Sequence, residues 1–292
     1  MPVGYRACAA AYVEAARSID AHDLTHHYTE GLAWLRGPFA DRLRAVLADL
    51  SGGVWDLRDF EIVAAGSDTD LMTHLVEAVA AAEGVAIYPG GWYGFLVGGT
   101  RDDGIAWTED ATGRMACLCI PSVRNGHLTE PMAAFLERAD TCLLNLNLYP
   151  TLPPGERAEI ARRLTPVLDR AVLSISFSRG FGMTASQLGV ALVRRDHPFM
   201  ARFERQWGWS TYFFNALAAR AFMALDIQRL QAVDDERRAW VKAELERLGL
   251  PAVDTGSYYV RSFRPEGPVP EALAPLVRGD LVRLCFKPPQ IG

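Results

Sequence analysis

Arg179 lies in the run Ser176-Phe-Ser-Arg-Gly-Phe-Gly182-Met-Thr-Ala-Ser-Gln187-Leu-Gly189. Its guanidinium stays protonated and is a poor nucleophile, so its chemistry is confined to gripping an anionic group or stabilising negative charge as it develops. The structural alternative is a filler that pairs with a nearby carboxylate. His127, just after Asn125-Gly126, offers an imidazole that titrates near neutrality and is a general acid/base candidate; the plain alternative is an exposed turn histidine before a helix. His26 and His27 beside Asp23 carry metal-binding atoms, but adjacent histidines rarely both face one ion and no third ligand stands at motif spacing. No metal is expected. Asp68 and Asp70 read most simply as charges at a helix N-terminus. Two aromatic-rich stretches, Trp92-Tyr93 and residues 207–214, fall near loop mouths, where such rings pack in a core, an interface or a lid.

These residues need elements to position them, and the chain is large enough to supply them. Its 292 residues are 50% hydrophobic and 22% charged, enough for one large domain and a smaller appendage. Lys and Arg total 30 against 35 Asp and Glu, so the net charge of -5 gives no field to attract a polyanion, and nucleic acid is not expected as a partner. No apolar run approaches the length of a membrane span, which needs about 18 residues or more, and no basic flank leads into an apolar signal core. The five cysteines (Cys8, Cys117, Cys119, Cys142, Cys285) are scattered without metal-ligand spacing and read as buried thiols in a reducing cytoplasm.

Short apolar runs at 85–88, 116–120, 142–148, 171–176 and 188–193 read as buried strands. Amphipathic stretches alternate with them, which predicts an α/β fold with a mainly parallel sheet covered on both faces. Over 69–83, Leu71, Leu75, Val76 and Val79 form one helical stripe, with Ser67 or Asp68 as N-cap and an entry loop of the kind that binds anions. Beyond Trp209 a long helical region, bent near Asp226, runs to Leu248, where Gly249 and Pro251 stop it. Strand-like 257–263 and 280–286 complete a small C-terminal α/β unit, and the expected division is 1–225 and 226–292.

The run around Arg179 resembles the active-site segment of the class I/II aminotransferases, the fold type I pyridoxal-phosphate (PLP) enzymes, which reads roughly S-x-S-K-x-F-G-x-x-G-x-R-x-G. The serines, Phe-Gly and last glycine match, whereas Arg179 stands at the Schiff-base lysine and Gln187 at the phosphate-binding arginine. The order of elements resembles the same layout over nearly the whole chain: a seven-stranded-type sheet between helices plus a small C-terminal domain. Ala65-Gly66-Ser67 matches the phosphate-cupping turn, and Pro89-Gly-Gly-Trp92 the segment with a ring-stacking aromatic. Asn145-Leu-Asn147-Leu-Tyr149 matches D-x-x-Y with Leu146 in the aspartate register; a slip of one position brings only a neutral Asn. Residues 120–126 replace the family's N-P-x-N-P-T-G turn.

The resemblance implies roles by position. Arg283 would hold a substrate α-carboxylate in a bidentate fork. Tyr149 would meet a ring hydroxyl, Ser176 and Gln187 would lie at the phosphate, Tyr28 would reach across a dimer, and His127 would face the site. Set against the four departures at 179, 187, 145–149 and 120–126, the expectation is an aminotransferase-like protein that does not use PLP by Schiff base, binds an amino acid or oxo acid and catalyses a step other than transamination, with no cofactor. In it Arg179, Tyr149 and His127 would be catalytic, and Arg283, Trp92, Tyr28, Ser176 and Gln187 would bind substrate, in a cytoplasmic homodimer serving biosynthesis. Two alternatives stand beside it: a non-catalytic homologue that works as a binding or dimerisation partner, and a variant enzyme holding PLP or pyridoxamine phosphate noncovalently.

Overall fold

The computed structural model describes residues 6–25, 28–92, 104–122, 127–183, 188–207, 212–250, 260–278 and 281–285. Eleven α-helices and ten strands are described. The first part runs α1 (Arg6–Ser18), α2 (Ala21–Thr25), α3 (Tyr28–Trp34), a π-helical turn at Leu35–Phe39 and α4 (Ala40–Leu50). Next come β1 (Phe60–Ala65), α5 (Asp68–Ala80), β2 (Val85–Ile87), β3 (Ile105–Trp107), β4 (Met115–Cys119), α6 (Glu130–Glu137) and β5 (Thr141–Asn145). The sheet is completed through α7 (Pro154–Leu164), β6 (Ala171–Ser176), the short α8 (Phe177–Gly180) and β7 (Gly189–Arg194). Thereafter follow α9 (Met200–Trp207), α10 (Tyr212–Ala224), α11 (Ile227–Leu248), β8 (Val260–Phe263), β9 (Val277–Arg278) and β10 (Leu281–Cys285).

Seven strands form one sheet in the order β1-β7-β6-β5-β4-β2-β3. The pairs from β3 to β6 are parallel, and β7 runs antiparallel between β6 and β1. The central strands Met-Ala-Cys-Leu-Cys, Thr-Cys-Leu-Leu-Asn and Ala-Val-Leu-Ser-Ile-Ser are buried at every position, which explains why they lack alternation: helices cover both faces. On one face, Val63, Ile87, Cys117, Leu143, Val172 and Ala191 pack with Leu71 and Leu75 of α5 and Phe203 of α9. On the other, Ala116, Leu144, Leu173 and Leu192 pack with Leu43 of α4, Phe135 of α6, Ile160 of α7 and Phe222 of α10.

Two features fix the end of the sheet where the chemistry-bearing segment lies. Phe177 and Phe181, flanking Arg179, form an aromatic cluster with Phe39 and Phe222, the ring centroids 4.9 to 5.9 Å apart. Such pairs add about 0.5–1.5 kcal/mol each beyond the area they bury. Cys8 of α1 also reaches the Phe181 carbonyl, at 3.2 Å. The helical region after residue 212 breaks at Asp226, which caps α11 by accepting from the Arg229 N–H, and Gly249 ends α11 at φ 61°, a left-handed conformation suited to glycine. Buried Arg157 ties α11 to the large sheet unit, donating to the carbonyls of Leu50, Pro150 and Leu152 and to Gln231. The strands β8, β10 and β9 make a separate antiparallel sheet.

Candidate functional site

The carboxyl ends of β4, β5 and β6, with the amino end of the reversed β7, meet the N-terminus of α5. Register sets Cys119 beside Asn145, Asn145 beside Ser174, Ser176 beside Gly189, and Gly189 beside Ala65. Period-two alternation from Leu143 and Val172 puts Asn145, Ser174 and Ser176 on the sheet face that α5 covers. Gly189 permits this close meeting: a Cβ there would lie 1.8 Å from the Asp68 nitrogen and 2.3 Å from the Ser67 carbonyl carbon. Ser67 is extended and accepts from the Asp70 N–H at 3.1 Å, a regular N-cap.

A chain of carboxamides crosses the strand ends. Asn145 Oδ1 accepts from the Asn147 N–H at 3.0 Å, Asn147 Oδ1 accepts from the Ser176 N–H at 2.6 Å, and Asn147 Nδ2 donates to the Asp68 carboxylate. Ser176 and Ser178 share a hydroxyl contact of 2.8 Å. Asp68 is only 7% exposed. Burial pushes its pKa up, and this outweighs the Asn147 hydrogen bond, the N–H groups of Asp68 and Thr69 and the charge of Arg179, which all favour the carboxylate.

Besides Thr141 Oγ1 at the start of β5, three buried polar atoms on the same face have no hydrogen-bond partner among the described residues: Asn145 Nδ2, Ser174 Oγ and Trp92 Nε1. Their residues are 2%, 1% and 7% exposed. An unmet buried polar group costs about 1–3 kcal/mol, so a group of three is a substantial debt in a native fold. All three can donate. Together they suit a flat ligand rich in acceptors, set over the strand ends.

The structure brings Arg179, Ser176 and Trp92 toward this region. Arg179 sits in α8, its charge acting on Asp68, and Ser176 caps the same turn by accepting from the Ser178 N–H. Tyr149, expected to be catalytic, packs instead in the opposite cluster: fully buried, its ring stacks on Trp55 at 5.1 Å and its hydroxyl donates to the Arg157 carbonyl at 3.0 Å. The chain turns through Leu146–Leu148 before a 3-10 segment at Tyr149–Thr151, which carries Tyr149 away from the face that Asn145 occupies. His127, the other expected acid/base, places Nδ1 3.3 Å from Glu156 of α7, a part-exposed pair on the α7 side of the sheet. Tyr28 and Arg283 belong to α3 and β10 through their backbones, and Gln187 lies outside the described residues. Asn145, Asn147 and Ser174 were not singled out as site residues from sequence. The signal for Ser174 was present in Leu173-Ser-Ile-Ser176, where two serines alternate on one face of an otherwise apolar strand. Among the described residues no group of three His, Cys, Asp or Glu could hold a metal ion, and no helix is long and apolar enough to cross a membrane.

The fold is that of the fold type I PLP transferases. The chain superposes on a provisionally assigned histidinol-phosphate aminotransferase from Erwinia carotovora atroseptica with a TM-score of 0.68 at 16% identity, covering 99% of this chain and 89% of the other. The histidinol-phosphate aminotransferase of Sinorhizobium meliloti, solved in complex with pyridoxal-5'-phosphate, gives 0.64 at 15% identity over 99% and 84%. That of Clostridium acetobutylicum gives 0.66 at 13% over 98% and 92%. No family model matches the chain, and no curated protein matches it by sequence. The expectation of no cofactor is corrected by these neighbours, one of which holds PLP: the likeness points to a PLP cofactor rather than to none. Four departures, at 179, 187, 145–149 and 120–126, carried that expectation, while the meeting of strand ends with a helix N-terminus is retained in the fold.

Proposed function

We propose that this chain is a variant aminotransferase-fold enzyme that holds a pyridoxal-phosphate-class cofactor without covalent attachment and takes an amino acid or oxo acid by its carboxylate. The observation that carries this reading is the set of buried donors Asn145 Nδ2, Ser174 Oγ and Trp92 Nε1, without a hydrogen-bond partner among the described residues, on the sheet face that α5 covers. Position 179 is Arg, and the whole chain has two lysines, Lys242 and Lys287. Lys242 is an exposed α11 residue 3.9 Å from Glu246. Retention would therefore rest on hydrogen bonds, stacking and charge.

The roles follow from the donors. Asn145, held by the Asn147 N–H on its oxygen, has its nitrogen free to donate to a ring nitrogen. A neutral amide donor favours an unprotonated ring nitrogen, where a carboxylate would favour the protonated one. Ser174 offers a hydroxyl proton, and Trp92 an aromatic face as well as an N–H. Arg179 contributes positive charge. When bound, the cofactor supplies an electron sink for bonds at the substrate carbon that carries nitrogen. Arg283 is the proposed carboxylate fork, Gln187 a further polar contact, and Tyr28 a contact supplied across a homodimer.

Calorimetric titration of the full chain with pyridoxal phosphate and pyridoxamine phosphate tests the reading. Saturable binding that weakens about five- to tenfold in Asn145→Ala supports it, at about 1–1.5 kcal/mol for one buried hydrogen bond. Binding indifferent to Asn145→Ala counts against the assigned site.

A further inference from the structure

Both ends of the Asn147 side chain are engaged, and the partners fix which end is which. Oδ1 accepts from the Ser176 N–H at 2.6 Å, and Nδ2 donates to the carboxylate of Asp68, the first residue of α5. Turned over, the amide would set its NH2 against an N–H and its oxygen against a carboxylate, two repulsive contacts. Of the side chains of this length, only a carboxamide offers an acceptor oxygen and a donor nitrogen side by side. The Asn147 main chain is held as well, its N–H donating to Asn145 Oδ1 at 3.0 Å just beyond the end of β5. A second observation, independent of that side chain, comes from the far end of α8. A Cβ added at buried Gly180 would lie 2.9 Å from the Asn147 carbonyl oxygen and 2.9 Å from Pro150 Cγ, so the last residue of α8 is pressed onto the backbone of residue 147. Ser176, just before α8, and Gly180, at its end, therefore both rest on Asn147, and Arg179 lies between them.

We propose that Asn147 is a positioning residue: it holds the turn that carries Arg179 against the start of α5, so that the positive charge of Arg179 meets a ligand in one fixed geometry. The inference rests on the reading of the site as one for a pyridoxal-phosphate-class cofactor. Asn147 acts through Arg179 rather than on the ligand. Truncating its side chain frees the start of α8 from the strand end and from Asp68 together, because one amide serves both. The same truncation keeps the residue-147 N–H, and with it the orientation of Asn145. The loss is therefore carried by α8 and leaves the Asn145 donor where it was.

The experiment titrates pyridoxal phosphate and pyridoxamine phosphate calorimetrically into the full chain as wild type, Asn147→Ala, Arg179→Gln and the double variant, with Tyr149→Phe as a control that loses a buried hydrogen bond elsewhere. Asn147→Ala and Arg179→Gln are each expected to weaken both ligands about tenfold, and the double variant to bind no more than about twofold more weakly than Arg179→Gln. Tyr149→Phe stays within about twofold of wild type, which separates positioning from a general loss of stability. A donor swap carries the test if the alanine variant does not fold. Asn147→Asp keeps the acceptor for Ser176 but sets two carboxylates face to face, and should cost about tenfold in affinity. Adding Asp68→Asn supplies the missing donor from the other side and should bring affinity back to within about threefold of wild type. Losses at 147 and 179 that simply add, a loss at 147 no larger than that of Tyr149→Phe, or a swap that binds no better than Asn147→Asp overturns the proposal. The two readings fail distinguishably. If wild type takes neither ligand, the cofactor reading falls and this inference with it; if wild type binds and the two losses add, the cofactor reading stands and the positioning role of Asn147 alone is lost.

Discussion

Replacing Ser174 with alanine separates a residue kept for a ligand from one kept for the fold. Ser174 is 1% exposed, and its hydroxyl has no partner among the described residues. Ser→Ala there removes an unmet polar group and leaves a methyl in an apolar strand, so the ligand-free protein should gain about 1 kcal/mol, the low end of the cost of a buried unsatisfied group. At roughly 2.1 cal/mol/K per residue, unfolding the 292-residue chain has an entropy of about 0.6 kcal/mol/K, so Tm should rise by about 1.5 °C. Ser122 is the control. It is 2% exposed but donates to the Gly90 carbonyl at 3.0 Å, and Ser122→Ala should cost about 1 kcal/mol and lower Tm by a similar amount. Urea unfolding and thermal melts of both variants, without and with pyridoxal phosphate, give the comparison. With ligand the order inverts for Ser174→Ala, whose affinity should fall about fivefold. If both alanines destabilise the ligand-free protein equally, the Ser174 hydroxyl is satisfied, and the reasoning from unmet donors fails.

Gly189→Ala would drive a Cβ to 1.8 Å from the Asp68 nitrogen, so β7 and α5 must separate; a loss of about 3 kcal/mol or more in chemical denaturation is expected, and a loss under about 1 kcal/mol would contradict the close meeting. Burial raises the Asp68 pKa above its ordinary 3.8, so the native state favours the protonated acid. Its contribution to stability is therefore full below about 3.8 and lost as pH rises through the raised value. Asp68→Asn should accordingly equal wild type in stability in strong acid and exceed it at neutral pH; denaturation across a pH series showing the reverse trend would refute the assignment of burial as the dominant effect. Tyr149→Phe loses the hydroxyl bond to the Arg157 carbonyl and should cost about 1 kcal/mol while ligand affinity stays within about twofold. A large fall in affinity with little change in stability would restore a ligand role to Tyr149.

The central strands and the α5 stripe were legible where burial is complete. The central runs at 116–120, 142–148 and 171–176 carry no charged residue because both faces are covered, and they became β4, β5 and β6. The reversal of β7 was not legible, since a strand buried on both faces has the same composition in either direction. Three strands went unread: β1, broken by Glu61 on an edge, β3, three residues with Trp107 exposed, and β9, two residues long. At the site, the sequence placed Ser67 and Asp68 at a helix start, but the burial of Asp68 depends on Gly189, a residue 121 positions away whose missing side chain brings the two elements together. At 145–149 Leu146 enters the core opposite α5, and Asn145 takes the face that α5 covers. Tyr149 then falls on the far side of a turn, where period-two alternation no longer assigns faces.

The most direct test of the central claim is to saturate the purified full chain with pyridoxal phosphate, follow the cofactor's absorbance, reduce with borohydride, and weigh the intact protein and its peptides. The account predicts a saturable spectral change, and after reduction an unmodified protein mass from which the cofactor dialyses away. A covalent adduct fixed on Lys242 or Lys287, or the absence of any saturable binding, would contradict it.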